Sequence, residues 1–551
     1  MEDNKTDESS DQRLMCNPEM PERHKGGLIT MPFIIANESF EKVASYGLVP
    51  NTILYLIRYY HVGVAKGTNI LFFWQAATNF TPILGAFVAD SYLGRFLTIG
   101  LGSISSLVGM IILWLTAMVP QSKPPPCDIM IQRCRSPTTG QMTLLFSSFV
   151  LISIGAGGVR PCSLAFGADQ LDQRDNPKNE RVLERFFGWY YASAAISVLI
   201  ALTGIVYIQD QFGYRVGFGL PAILMLISAL VFFLASPLYI KQMASKSLLT
   251  GFVQVIVVAY KNRNLAFPLP NSTGSYHHKR DSNIVEPTDN LRFLNKACII
   301  RNPEQDVAPD GSASNPWSLC TVDQVEELKA LVKVLPLWST GIVMSINLSQ
   351  NTFPVLQASS MDRHLTKKFQ IPAGSYGMFN IISCVMGWEW AISYMHCHGS
   401  FSHRRERKTK GGNSRWISEQ PSSSLKMSAM WLVPQFCLNG FAEAFTAIGQ
   451  TELFYSELPK SMSSIAAALF GLGLAVANLL ASVVVSIIDG ITSKGGKDSW
   501  VSSNINRGRI DNYYWVLAIL SFINLFYYLL CAWAYGPTGR QATKVKVLPG
   551  R

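Results

Sequence analysis

The chain has 551 residues and a formal net charge of +11. Charged residues make up only 15% of it, against about 25% in soluble globular proteins. This composition excludes a disordered chain, a coiled coil and a disulfide scaffold. The apolar residues lie in blocks of about 20, the length that crosses a bilayer core of about 30 Å. We therefore predict an all-α polytopic membrane protein. The excess of Lys and Arg is typical of cytosolic loops, and no nucleic-acid partner is predicted.

Six apolar spans fill the first half, after a polar tail at residues 1–27. They are predicted at 28–57, 69–92, 97–119, 141–163, 186–208 and 214–240. Together they form a predicted six-helix bundle over residues 28–240. The polar stretch 241–326 is rich in Lys and Arg, which places it in the cytosol. An even number of preceding spans puts the N-terminal tail on the same side of the membrane.

The second half, residues 327–535, contains five apolar spans rather than six. They are predicted at 327–350, 372–394, 427–450, 463–488 and 512–535, and a polar tail follows at 536–551. Between two of them, residues 395–426 form a basic loop without an apolar run long enough to cross a bilayer. Two helical halves joined by a cytosolic linker are typical of transporters built from paired repeats. The eleven spans fit that plan with one element absent.

The first span carries three ionisable residues on one helix face, Glu38, Glu41 and Lys42. Each charge at a bilayer centre costs around 3 kcal/mol, so three would cost roughly 9 kcal/mol in lipid. We predict that this face lines a wet cavity. Glu38 lies four residues before Lys42, the favourable order for an intrahelical ion pair, which leaves Glu41 as the freer carboxylate and a candidate proton carrier. The alternative is a purely structural group of charges.

Two further charges lie inside apolar spans. Arg160 follows three glycines that allow close helix contact, and Pro161 is predicted to disrupt the helix there. Glu443 lies deep in a span of the second half. An ion pair between Arg160 and Glu443 would join the halves in one conformational state and release in another. The alternative for Arg160 is an arginine that extends from a helix end to the membrane surface.

The turn after the second span, GAFVADSYLGR, contains Asp90, Gly94 and Arg95. Gly94 permits a tight turn, and the Asp and Arg side chains would pair across the helix ends as a conformational latch. Thr98, three residues after Arg95, is a candidate phosphorylation site. In another loop, Cys127 and Cys134 either pair as a disulfide or remain free thiols.

Four residues are candidates for the lining of a substrate cavity, because their polar groups are attached to apolar bodies or lie in apolar spans: Trp338, Asn347, Tyr190 and Tyr191. Core packing is the alternative for each. No phosphate-binding loop, nucleophile elbow or metal-spaced helix pair is present in the sequence, so we predict no enzyme activity, no cofactor and no metal site.

Several motifs are similar to those of a known transporter family. NESFEKVASYG resembles the E-x-x-E-[KR] element of proton-coupled oligopeptide transporters, and GAFVADSYLGR is similar to the loop signature of the major facilitator superfamily. GGVRPCSLAFGADQ, LRFLNKA, MWLVPQF and GFAEAFTAIGQTELFYSELPKSMSS resemble the plant nitrate/peptide transporter family. The resemblance extends over about residues 26–390 and 427–537.

This resemblance implies a major-facilitator-type bundle of two pseudo-symmetric halves, with about 11 transmembrane helices here against 12 in the family. It implies proton coupling at Glu38, Glu41 and Lys42. It also implies that Arg160, at a position that is usually Lys, pairs with Glu443 between the bundles. The seventh span lacks the His of some nitrate carriers, so nitrate is not favoured over an organic anion.

The expected function is proton-coupled symport of a small anionic or zwitterionic solute, such as nitrate, a peptide, a hormone or a glucoside. The expected location is the plasma membrane in preference to an internal membrane, and the sequence predicts no oligomeric state. Residues 395–426 replace the family's ninth helix. They are either a real isoform feature or an error in the joining of coding segments. The alternative function is therefore a transport-deficient ligand sensor or regulatory partner.

Overall fold

The computed structural model describes residues 26–127, 135–171, 179–241, 248–268, 275–278, 286–308, 311–386, 425–459, 462–494, 498–502 and 508–535. Within them the first half consists of α1 (Met31–Tyr59), α2 (Val64–Val88), α3 (Arg95–Met118), α4 (Thr139–Leu171), α5 (Asn179–Ile200) and α6 (Val206–Leu234). A π-helical turn, Ala201–Ile205, joins α5 to the start of α6. The chain bends at Gly213, whose φ of 77° is non-helical, so the fifth and sixth predicted spans meet there without a loop.

Helix α4 continues through Pro161 to Leu171, eight residues beyond the predicted end of the fourth span. The predicted disruption of this helix is therefore wrong. Gly157 and Gly158 pack against neighbouring backbone, and the next turns of α4 bury Cys162 and Phe166 in an apolar cluster. This packing stabilises the turns after the proline although its ring removes one helical hydrogen bond.

Glycines allow the backbones of α2, α3 and α4 to touch, as the sequence predicted for Gly155, Gly157 and Gly158. A Cβ atom on Gly85 of α2 would overlap the carbonyl oxygen of Gly157. A Cβ atom on Gly102 of α3 would lie 2.9 Å from the Cα atom of Gly158. These contacts hold α4 close to both neighbours.

The linker contains structure that its polar composition did not predict. Helix α7 (Leu248–Lys261) packs against a 3-10 helix, Arg292–Ala297, and both lie against the next helix, α8 (Val322–Leu348). A capping box of Thr321 and Gln324 starts α8. Burial in this region raises the pKa of the Cys298 and Cys320 thiols to about 12. The linker therefore has an apolar core of its own. The linker also contains a short helix, Pro303–Asp306.

The second half continues with α9 (Thr352–Ser359), α10 (Gly377–Met386), α11 (Val433–Glu457), α12 (Ser463–Thr492) and α13 (Ile510–Tyr535). Two short strands pair in parallel: β1 (Met361–Asp362) precedes α10, and β2 (Leu425–Ser428) precedes α11. Most of the basic loop predicted at 395–426, including His396, Cys397, His398 and His403, lies outside the described residues. Cys127 is disulfide-bonded, and Cys134 also lies outside them.

The fold is an all-α bundle in which the two halves pack along α2 and α12. Asn69 of α2 donates to Ser486 Oγ at 2.9 Å and accepts from Ser482 Oγ at 3.0 Å. In the described part of the chain, seven helical stretches are long and apolar enough to cross a membrane. Helices α1, which carries Glu38, Glu41 and Lys42, and α11, which carries Glu443, are not among the seven.

We expect Gly85→Ala to destabilise the first half by about 1–3 kcal/mol, because the new methyl group has to displace the backbone of α4. Gly188→Ala is the matched control, since a Cβ atom there meets nothing within 4 Å. Thermal unfolding of the purified protein in detergent should show a lower midpoint for the first variant only. Equal midpoints would contradict the proposed backbone contact.

Candidate functional site

The predicted ion pair on α1 is present. Lys42 Nζ lies 2.9 Å from Glu38 Oε1, and both side chains are largely buried in the bundle. Tyr190 of α5 lies close enough to Glu38 to interact with its charge. One buried oxygen, Glu38 Oε2, has no hydrogen-bond partner in the described part of the chain. The charged face of α1 is therefore turned into the protein rather than into lipid.

Glu41 has a cationic partner that the spacing along α1 did not predict, although its charge contact is longer than that of Glu38 with Lys42. Glu41 is 0% exposed, accepts a hydrogen bond from Ser45 Oγ at 2.7 Å, and has Oε1 at 3.9 Å from Arg160 Nε. The Arg160 guanidinium also lies over the Tyr46 ring, 5.4 Å from its centroid. Because the partner comes from α4, the spacing along α1 could not show it. Glu41 and Arg160 thus form a second charge pair beside Glu38 and Lys42.

Next to this group a cavity of about 230 Å³ lies between the two halves. Its first-half wall comes from α1, α2, α4, α5 and the π-helical turn, and its second-half wall from α9, α10, α11 and Asn351 and Gly374 nearby. The polar lining residues are Ser45, Tyr46, Gln75, Thr78, Asn79, Arg160, Asn351, Thr352, Asn380 and Glu443. A concave site with apolar walls and a few polar groups is the usual form of a small-molecule site.

Arg160 and Glu443 line this same cavity from opposite halves, but they do not form the predicted ion pair in this conformation. Glu443 instead accepts a hydrogen bond from Asn380 Nδ2 at 2.8 Å, and Asn439 Nδ2 donates to Asn380 Oδ1 at 3.1 Å. Arg160 is directed to Glu41, as described above. Asn380 was not predicted as a site residue, although its amide lies in the otherwise apolar run GMFNIISCV.

The predicted turn after α2 has the expected backbone. Gly94 has a φ of 75°, a conformation that favours glycine. Arg95 Nε lies 3.8 Å from Asp90 Oδ1, and Arg95 Nη1 donates to Asp169 Oδ2 at 2.5 Å. The shorter contact reaches the end of α4 and was not predicted. Asp169 lies in the run GGVRPCSLAFGADQ, but nothing in that run indicated that its carboxylate would contact Arg95.

Thr98 is not available for modification in this conformation. It is 5% exposed, and its hydroxyl donates to the Gly94 carbonyl at 2.9 Å. The first turn of α3 therefore uses this hydroxyl as a structural donor. A kinase would reach Thr98 only after that turn had opened.

The four residues predicted to line a cavity lie elsewhere. Trp338 Nε1 donates to the Leu469 carbonyl at 2.8 Å, and Asn347 Nδ2 donates to Ser521 Oγ at 2.6 Å. Both residues join helices within the second half. Tyr190 is buried beside Glu38, whereas Tyr191 is 62% exposed. The packing alternative is therefore the correct one for Trp338 and Asn347.

The halves also meet at the end of the bundle remote from the linker. Arg363 Nη1 lies 3.5 Å from Asp210 Oδ2, and the rings of Tyr207 and Phe369 stack with centroids 6.3 Å apart. Each pair joins the α5–α6 region to the segment between α9 and α10. The sequence did not predict these contacts, because Tyr207 lies at a span end and Asp210, Arg363 and Phe369 lie between spans, where charged and aromatic side chains are common.

Two helical halves around a shared polar cavity define a membrane transport protein. The sequence pattern of the POT family (PTR2) matches residues 96–388 and 409–501. Protein NRT1/ PTR FAMILY 1.2 of Arabidopsis thaliana is 57% identical, with 95% of this chain and 92% of that protein covered. NRT1/ PTR FAMILY 1.1 of the same plant is 55% identical, with 99% and 98% covered. The chain belongs to the POT family of transporters, among its plant nitrate/peptide members.

Solved structures show the same fold. The POT family transporter PepTSo superimposes with a TM-score of 0.62 at 17% identity, covering 92% of this chain and 98% of that one. An auto-inhibited POT family peptide transporter gives 0.59 at 19% identity, with 95% and 99% covered. The alignment with NRT1/ PTR FAMILY 1.2 has 564 positions, more than the 551 residues of this chain, so some positions of that relative have no counterpart here.

We expect the contact between Asp210 and Arg363 to couple the two halves energetically. In a double-mutant cycle, Asp210→Asn and Arg363→Gln should each lower the thermal unfolding midpoint. The double variant should be less destabilised than the sum, with a coupling of about 0.5–3 kcal/mol. The more exposed pair Lys333 and Glu457, within the second half, is the control and should couple less. Strict additivity for Asp210 and Arg363 would contradict the contact.

Proposed function

We propose that the protein is a proton-coupled symporter that moves a small anionic or zwitterionic solute by alternating access. The observation that carries this proposal is the position of Arg160, which lines the cavity between the halves and lies beside the buried Glu41 carboxylate. The Arg160 guanidinium therefore faces a solute in the cavity on one side and the Glu41 carboxylate, which is the proposed proton-binding group, on the other. Glu38, Glu41 and Lys42 are the proposed proton-coupling residues.

The coupling follows from competition for one cation. An anionic group of the solute that binds Arg160 weakens the attraction between Arg160 and Glu41. A buried carboxylate that loses its countercharge binds a proton more readily, because burial disfavours its ionised form. Proton and solute then enter the same state of the protein together. When the halves rock to the other side, departure of either one favours departure of the other.

The lining charges support the class of solute. Arg160 suits a carboxylate, phosphate or nitrate group, and Glu443 on the opposite wall suits an amine, so the cavity fits an anion or a zwitterion. Among the structural relatives, one POT family transporter was solved in complex with 5-aminolevulinic acid and a peptide transporter in complex with sulfate. We propose Arg160 and Glu443 as substrate residues that pair directly in a state without solute.

The driving force is sufficient for accumulation. When a net charge of +1 moves, as for one proton with a zwitterion or two protons with a monoanion, 100 mV contributes about 2.3 kcal/mol, which corresponds to roughly fifty-fold accumulation. A plasma membrane with an acidic outer face would supply both the potential and the proton gradient, so we propose that location. Asp90, Gly94 and Arg95, with Asp169, would then form the cytosolic latch, and Asp210 with Arg363 the contact that closes the outer side.

We expect Glu41→Gln to abolish acid-stimulated uptake, because the amide cannot carry the proton. The measurement is uptake of nitrate, dialanine and 5-aminolevulinic acid in oocytes at pH 5.5 and 7.5. Glu304→Gln, in the exposed short helix of the linker, is the matched control and should leave uptake unchanged. Surface biotinylation checks insertion. Acid-stimulated uptake that persists in Glu41→Gln at normal surface level would refute the assigned role.

The alternative function is a ligand sensor or regulatory partner that binds solute without turnover. The observation that favours it is the interruption of the family match between residues 388 and 409, which overlaps the basic loop predicted at 395–426. In reconstituted vesicles such a protein would bind a solute without counterflow.

We expect replacement of residues 387–424 by the corresponding segment of NRT1/ PTR FAMILY 1.2 to raise uptake of the same three solutes severalfold over the unaltered chain. The reason is that an apolar crossing segment restores the sixth span of the second half. A replacement by the same length of Gly/Ser-rich sequence is the control. Equal uptake by the unaltered chain and the chimaera, at a level clearly above that of uninjected oocytes, would show that the natural segment supports transport and would exclude the sensor hypothesis.

A further inference from the structure

A second cavity, of about 450 Å³, lies in the linker, away from the transport site. Its walls are almost entirely apolar and come from α7, the 3-10 helix Arg292–Ala297 and α8. Ile256, Ala259 and Tyr260 form one wall, and Leu328 and Val332 form another. Two cationic residues, Arg263 and Lys296, also line the cavity. We infer that this cavity binds an anionic phospholipid from the cytosolic leaflet, with acyl chain in the apolar groove and phosphate at Arg263 and Lys296.

The position of α8 supports contact with the inner membrane boundary. Its first three turns carry five charged residues, Asp323, Glu326, Glu327, Lys329 and Lys333, and the remainder up to Leu348 carries none. The apolar core of a bilayer therefore ends near Lys333. Leu328 and Val332 lie at this boundary, so the cavity opens at the depth where lipid phosphates meet acyl chains.

Helix α7 presents apolar side chains to both sides. Phe252, Val255 and Val258 are buried in the linker core, whereas Val253, Ile256 and Tyr260 are more than half exposed in the structure. These last three residues are spaced i, i+3 and i+7, so they form one continuous face. A helix that is apolar all round belongs in a protein interior or in lipid. Acyl chains are thus the environment that suits the exposed face.

The rim of the cavity has the charge that an anionic headgroup requires. Lys296 Nζ donates to the Arg263 carbonyl at 2.6 Å, which places the two basic residues side by side. Arg292 adds a third cation: its guanidinium lies 4.6 Å from the Phe267 ring centroid, and Lys296 Nζ lies 5.0 Å from the same centroid. Basic residues on the cytosolic side of membrane helices attract anionic lipids, whereas a zwitterionic headgroup gains less from them.

The test measures lipid binding by the purified full-length protein with native mass spectrometry. Dioleoyl phosphatidic acid and dioleoyl phosphatidylcholine share the same acyl chains, so the comparison isolates the headgroup. We expect tighter binding of phosphatidic acid. In Arg263→Gln/Lys296→Gln this binding should become about thirtyfold weaker, the change expected for two basic residues at an anionic membrane surface. Lys261→Gln/Arg301→Gln removes the same charge from linker positions that do not line the cavity and should change binding less than twofold.

A second variant tests the apolar part of the site. Ala259→Trp fills the groove and keeps both cations, so phosphatidic acid binding should fall while size-exclusion profile and unfolding midpoint without lipid stay near those of the unaltered protein. If that variant does not fold, the charge variants decide the question alone. Four results would overturn the inference: equal binding of both lipids, unchanged binding in Arg263→Gln/Lys296→Gln, an equal loss in Lys261→Gln/Arg301→Gln, or displacement of phosphatidic acid by glycerol 3-phosphate at equal concentration. No transport assay is involved, so the result is independent of the proposed symport.

Discussion

The structure depends on one cation, Arg160, which serves two environments. On one side it lies against Glu41, a fully buried carboxylate of α1, and on the other it lines the cavity between the halves. An arginine stays charged at any physiological pH, so its field is a constant to which movable charges adjust. Glu41 and a solute anion are both attracted by that field. In the proposed mechanism, the protonation of Glu41 depends on which solute occupies the cavity between the halves.

The same constraint explains why α1 tolerates three charges at membrane depth. Lys42 compensates Glu38 within the helix, and Arg160 compensates Glu41 from α4, so the four ionised groups sum to no net charge. Removing any one of them would leave a buried charge without its partner, which costs several kcal/mol. The close contact of α4 with α2 and α3 through Gly157 and Gly158 fixes the helix that carries Arg160. The glycine contacts of α4 therefore help to hold Arg160 in position beside Glu41.

Local pattern in the sequence predicted the parts of this design that lie within one helix. Helices lie at the six positions that hydropathy predicted in the first half, although α4 extends eight residues beyond its predicted end, and the pair of Glu38 with Lys42 forms at the predicted i, i+4 spacing. The partner of Glu41 was missed because it depends on which helices touch, and the Asn380 contact of Glu443 was missed for the same reason. Trp338 and Asn347 were assigned to a cavity because a polar atom in an apolar span suits packing between helices as well as solute binding. The average composition of the linker is polar, so it did not indicate the apolar helix α7.

Contacts within the second half hold helix α11 at both of its ends. Strand β2, which leads into α11, pairs with β1 beside the start of α10, and Glu457 at the other end of α11 lies 3.2 Å from Lys333 near the start of α8. Helix α11 therefore starts at the end of the bundle remote from the linker. Helix α11 carries Glu443, the only acidic residue that the cavity receives from the second half among its described lining residues. The contacts at the two ends of α11 therefore fix the depth at which this carboxylate meets the cavity, and with it the position from which Glu443 faces Arg160.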